Sequence, residues 1–332
     1  WMELMRAAEV VLKEAQTVNP LNTDHTANLA RLYRSWSDLA YDDPALRQEM
    51  LDRSLAQYEM AVTLSPNAAH LWNEKGNTHL ARGERDKAEE AYRHSLAIDP
   101  LFEQTYLLMA EFLDDENRFA ESAEILKKGI AAMDEDPRVS PTPAMVSYLG
   151  VALARSGDLP GAIDANLRVL GCQPTNVSAM RNLALLYRDN NQPAEGIPWV
   201  EKAISLTPAD KPADLAPLYE VAGQLYQANG QVDEAIGALE KTRELAPGDV
   251  NTLRSLSNLY NIKQDDAKVV ELAQALMQAE PSSFEHPLSA AQALQRMGRK
   301  ADALTYANQA LNLAPESEKA TITQLIQTLN QS

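Results

Sequence analysis

The chain has 332 residues, with 47 acidic against 30 basic side chains and a formal charge of −17; it is 45% hydrophobic but only 6% aromatic. That balance, with no Lys/Arg cluster, argues against nucleic acid as a partner. No run of about 18 apolar residues is present, so no membrane span is expected in these residues. A single cysteine, Cys172, leaves no internal disulfide to form.

Prolines set the frame for the elements. Pro20, Pro66, Pro100, Pro174, Pro208, Pro247, Pro281 and Pro315 are separated by 46, 34, 74, 34, 39, 34 and 34 residues, and 74 is two steps of 34 with six to spare. A 34-residue period marks stacked helix-turn-helix units, none able to bury its apolar face without neighbours. Ala, Leu, Glu and Gln, strong helix formers, dominate between the prolines.

In chain order, residues 1–22 fit only the second helix of a repeat, with Ala8, Leu12, Ala15 and Pro20 in register. Its first helix is missing and its apolar face lacks a cover, so the natural chain is expected to continue upstream of Trp1. Residues 23–68 read as an enlarged repeat, with Asp42-Asp43-Pro44 as the break between its helices and Asp as the cap.

Seven regular repeats follow, at 69–102, 103–136, 143–176, 177–210, 216–249, 250–283 and 284–317, with inserted loops expected near 137–142 and 211–215. In the first, Gly76 and Ala88 are small enough for two antiparallel helices to approach, while Trp72 and Tyr92 are expected to fill the space around them. Pro100 ends the second helix. The frame recurs as Ala110 and Ser122, Gly150 and Ala162, Ala184 and Gly196, Gly223 and Ala235, and Ala291 and Ala303. Residues 318–332 read as a capping helix, with Ile322, Leu325, Ile326 and Leu329 in one stripe, and the array is expected to end there.

Large, small, small, aromatic and proline positions at these offsets resemble the tetratricopeptide repeat. The resemblance covers 69–317 and implies an all-α fold: a right-handed superhelical solenoid of antiparallel helix pairs, about eight repeats plus a C-terminal capping helix. It further implies that polar positions of the first helices line a concave groove that binds a peptide or protein. Those positions are Asn73 and Asn77, then Gln104, Glu111 and Asp114, then Arg181 and Arg188. Glu220, Gln224 and Gln227 follow, with Arg254, Asn258 and Asn261, and finally Gln292 and Gln295. Amide and guanidinium groups suit a peptide backbone, a carboxylate or the hydroxyls of a glycan. Arg254 and Asn258 offer part of the carboxylate clamp of some relatives, but Ser289 stands where a second Asn is needed. Leu185, Val151 and Glu111 interrupt a continuous asparagine ladder.

Asn19 to Tyr33 (NPLNTDHTANLARLY) resembles a segment of bacterial membrane proteins of the O-antigen ligase or polymerase type. That likeness implies an alternative function, the extramembrane domain of a glycan-assembling enzyme on the extracytoplasmic face, with the membrane enzyme as partner in cis. Without it, a cytoplasmic scaffold is expected. A third reading stacks the chain on copies of itself.

Catalytic chemistry finds little footing. There is no GxxxxGK[ST], GxGxxG, GxSxG or HExxH pattern. His25, His70, His79, His94 and His286 include no pair at i,i+4. Asp114-Asp115 and Asp265-Asp266 are expected in turns, as helix caps. No enzyme activity, cofactor or metal is therefore expected in this region. Residues 101–140 hold ten acidic against four basic side chains, either a solvated helix face or a dock for a basic partner.

Overall fold

The computed structural model describes residues 1–331. Among them 18 α-helices and no strand occur. They fall into two compact units, residues 1–172 and residues from Gln173 onward. The first unit opens with α1 (Met2–Val18) and continues as four helix pairs. These are α2 (Thr23–Leu39) with α3 (Pro44–Leu64), α4 (Ala69–Ala81) with α5 (Arg85–Ile98), α6 (Glu103–Asp115) with α7 (Phe119–Glu135), and α8 (Pro143–Ser156) with α9 (Leu159–Cys172). The second unit holds α10 (Val177–Asp189) with α11 (Pro193–Leu206), α12 (Pro212–Ala228) with α13 (Val232–Leu245), α14 (Val250–Ile262) with α15 (Asp266–Ala279), and α16 (Glu285–Arg296) with α17 (Lys300–Leu313). It closes on α18 (Glu316–Gln331).

Each of the eight period-setting prolines lies just past the end of a second helix or of α1; Pro66, Pro100, Pro208, Pro247, Pro281 and Pro315 directly follow the C-cap. A proline there stops the helix, because it lacks an N–H and restricts the residue before it. The opposite turn, from first to second helix, is built as regularly. From α4/α5 onward every hairpin places one residue in the left-handed region: Gly83, Asn117, Gly157, Asn191, Gly230, Gln264 and Gly298, with φ between 58° and 90°. Glycine takes that conformation freely, and Asn is the next most tolerant. The longer pair α2/α3 turns differently: Asp43 caps α3 by accepting from the Leu46 N–H at 3.0 Å, with Pro44 in the first turn.

Small residues bring the helices of a pair together. A Cβ on Gly76 would sit 2.7 Å from Tyr92 Cε1, one on Gly223 2.6 Å from Leu239 Cγ, and one on Gly196 2.9 Å from the Ala184 carbonyl oxygen. Around these contacts the core fills with Leu, Ala and Met; Tyr92, Leu126, Met180, Leu256 and Leu272 are fully buried. Burying a Leu or Met in this way stabilises by roughly 1.5–3 kcal/mol. At the end of the second unit Ile322 and Leu329 of α18 are buried against Ala291, Leu294, Ala303, Ala307 and Ala310. No residue of α1 is buried, and Leu4, Val10, Val11 and Val18 stand exposed.

Three expectations need correction. Residues 211–215 are not an inserted loop: Pro212 starts α12, whose first turn absorbs them. Asp114 and Asp115 are the last two residues of α6 and cap nothing, whereas Asp265 does cap α15, accepting from Lys268 N–H at 3.2 Å. Trp72 fills the space around its helices only in part. It is half-buried, packing against Ala27, Ala61, Val62 and Leu71 with its indole N–H donating to the Pro66 carbonyl at 3.2 Å, whereas Tyr92 is fully buried.

Candidate functional site

Some first helices touch the first helix of the next pair, α4 to α6, α6 to α8 and α10 to α12. Their polar side chains therefore have three destinations: the seam between pairs, a partner within their own pair, or the open face. Each expected ligand-binding residue goes to one of these.

In the first unit three of the five are taken up by other residues, two of them in the seam. Asn73 is buried and cannot meet a ligand; its Nδ2 donates to Thr105 Oγ1 at 2.9 Å, and Thr105 in turn meets Ser95 Oγ at 2.9 Å. Asn77 is half-buried and accepts from the Tyr92 hydroxyl at 2.5 Å. Burial, and then the Glu111 charge, push the Tyr92 hydroxyl pKa above the ordinary tyrosine value. Asp114 is half-buried, with Arg155 Nη1 3.9 Å from its carboxylate. Gln104 and Glu111 remain exposed.

The second unit keeps more of its amides open. Arg188 is tied down: its Nε donates to Asp189 Oδ1 at 2.8 Å, and Nη1 contacts Gln224 Oε1. Gln224 Nε2 continues the chain to Glu220 Oε1 at 3.1 Å, linking α10 to α12. Arg254 is also occupied, its Nη2 lying 2.7 and 2.6 Å from the two oxygens of Glu280. His286 Nε2 meets the same carboxylate at 2.7 Å. Hydrogen bonds from His286 and Arg254 hold the Glu280 carboxyl below the usual carboxylate range. A free clamp arginine at 254 is thus not available. Asn261 accepts from Arg296 Nη2 at 2.8 Å. Arg181, Gln227, Asn258 and Gln292 are exposed and Gln295 half-buried, none of their side chains engaged in a hydrogen bond or ion pair.

Arg181 also lines a cavity of about 420 Å³ with Ser178, Thr207, Lys211 and Asp214. Sequence reading missed Lys211, because residues 211–215 were assigned to an insertion rather than to the start of a helix beside α10. No group of three or more His, Cys, Asp or Glu that could hold a metal occurs among the described residues, and no helix among them is long and apolar enough to cross a membrane. Residues 19–33 have a structural explanation of their own. Asn22 caps α2 through the Asp24 and His25 N–H groups, and Thr26, Ala27, Leu29, Ala30 and Tyr33 are buried.

Residues 69–102, 107–177 and 178–210 match family models of the tetratricopeptide repeat. The chain is 22% identical over 295 residues to the TPR repeat-containing protein YpiA of Bacillus subtilis, covering 89% of this chain and 64% of that protein. It is 27% identical over 120 residues to anaphase-promoting complex subunit 3 of Dictyostelium discoideum, covering 36% and 12%. The chain thus spans less than two thirds of either relative. Among solved structures it is similar to the C-terminal part of a TPR repeat-containing protein from Cytophaga hutchinsonii, with TM-score 0.59, 14% identity, and 76% and 94% of the two chains covered. A tetratricopeptide repeat protein from Parabacteroides merdae gives TM-score 0.50 and 13% identity, over 80% and 99%. At these identities the likenesses establish the fold. None of these matches supports the glycan ligase or polymerase likeness.

Proposed function

We propose that this chain of tetratricopeptide repeats is a non-catalytic interaction scaffold that holds an extended peptide segment of a partner protein on the first-helix face of its second unit. The observation that carries this reading is the set of unengaged amides, Gln227, Asn258, Gln292 and Gln295, on three consecutive first helices, α12, α14 and α16. An amide presents donor and acceptor together, which matches the alternating N–H and C=O of an extended backbone. Arg181 and Lys211 add two unpaired cations beside α12, suited to a carboxylate on the same segment.

The test is peptide display against the intact chain, repeated on a Gln227→Ala, Asn258→Ala, Gln292→Ala triple variant. These positions are exposed, so helicity should be unchanged. Each lost hydrogen bond is worth about 0.5–1.5 kcal/mol, so peptides selected on the native chain should bind the triple variant roughly tenfold or more weakly. Equal binding to both proteins contradicts the assignment.

A further inference from the structure

A cavity of about 750 Å³ lies in the first unit and away from the first-helix face. Its walls are α3 and α5 and its floor is α4. Trp72, Lys75 and His79 point into it, about 140° around α4 from Asn73, Asn77 and Leu80 at 3.6 residues per turn. Trp72 and His94 make an aromatic pair at its centre, ring centroids 4.0 Å apart and planes tilted by 51°. The indole N–H is already satisfied by Pro66, so Trp72 offers the cavity its ring alone. Leu55, Ala91 and Ala97 supply an apolar lining.

The charges around this pocket are unevenly matched. Lys75 contacts Glu59, Lys87 lies 3.1 Å from Glu84, and Arg93 lies 2.5 Å from Glu89, so each cation has its own carboxylate. Glu90 lines the cavity without a counter-ion. Within the fold the Trp72 ring already carries a cation, Lys75 Nζ standing 4.9 Å from its centroid while that lysine also contacts Glu59. An anion would meet cations that are already neutralised; a cation would meet an aromatic face and a free carboxylate.

The geometry points to a second docking site here, one that receives an arginine side chain from a basic segment of a partner protein. The aliphatic stem lies along Leu55, Ala91 and Ala97, and the planar guanidinium displaces Lys75 from the Trp72 ring, leaving that lysine to Glu59, and forks to Glu90. Arginine fits better than lysine because its flat head both stacks and bonds in pairs. A partner of that charge also suits a chain of net charge −17.

The experiment titrates the intact chain with N-acetyl-arginine amide and follows the indole N–H resonances by two-dimensional NMR. The Trp72 signal is identified by its loss in Trp72→Phe. A saturable shift of that signal is expected, with those of Trp1, Trp36 and Trp199 unmoved. Glu90→Gln, an exposed substitution, should weaken binding by about threefold or more. The Gln227, Asn258, Gln292 triple variant should titrate like the native chain, which separates this site from the first-helix face. Absence of a saturable shift, an equal response to N-acetyl-glutamate amide, or unchanged affinity in Glu90→Gln overturns the proposal.

Discussion

The smallest determinants of this fold are pairs of residues twelve apart, such as Gly76 with Ala88 and Ala184 with Gly196. They are legible in the sequence because each acts within one repeat, where spacing alone brings the partners together. Gly196 tests the point. An added methyl would press on the Ala184 carbonyl, a backbone atom that cannot turn aside, as well as on Leu225 and Tyr187. Gly196→Ala should therefore cost about 1–3 kcal/mol. Gly237, inside α13 with open space around it, should gain about 0.5–1 kcal/mol from the same substitution. Urea denaturation of the two variants checks the opposite signs. Residues that act between repeats were not legible. Asn73 occupies an expected ligand position, yet its partner Thr105 lies 32 residues on, in the next pair. Periodicity identifies a polar residue on a helix face but does not say whether the neighbouring helix covers it. Arg254 was misread for a different reason: its partner Glu280 lies 26 residues on inside the same repeat, at the end of α15, where a loose spacing gives no sign of the ion pair.

At the level of elements, the proline after each second helix announced the period, but the left-handed residue in each hairpin is an equally regular signal that the sequence hides. Glycine fills only Gly83, Gly157, Gly230 and Gly298 of the seven positions, and Asn117, Asn191 and Gln264 disguise the rest. Gln264 is the least suited to φ of 59°. Gln264→Gly should relieve that strain while adding some entropy to the unfolded chain, a net gain of about 0.5–1 kcal/mol. A raised denaturation midpoint with an unchanged slope is the expected result. Element boundaries gave the other surprise. The five residues beyond the period near 211 lengthen α12 rather than forming a loop, because Pro212 is well placed in a first helical turn. That is how Lys211 comes to stand beside Arg181.

For the whole molecule, the charge of −17 is softened by ion pairs that tie helices together, including Arg31–Glu74, Arg118–Glu89, Arg243–Glu271 and Arg296–Asp266. Several of these carboxyls titrate below the usual value of 4.5: Glu89 through hydrogen bonds from Arg118 and then Arg93, Glu271 through Lys268 and then Arg243, and Glu84 through His79. A carboxyl whose folded pKa is depressed lends stability that is complete above its unfolded value and is lost as pH falls through the folded one. Thermal midpoints should therefore fall as pH drops below 4.5, and Glu89→Gln should show a smaller fall than the native chain. Thermal melts followed by circular dichroism across this range check both. The repeat architecture was thus readable along the chain, whereas which polar residues stay free for a partner depended on side-chain contacts within and between repeats. The central claim concerns those free residues. It is tested most directly by placing a photo-crosslinking amino acid at Asn258, on α14, and at Glu244, on the exposed side of α13, and irradiating each with a display-selected peptide. The account predicts a peptide adduct from position 258 and none from 244. Adducts from 244 without any from 258 would contradict it.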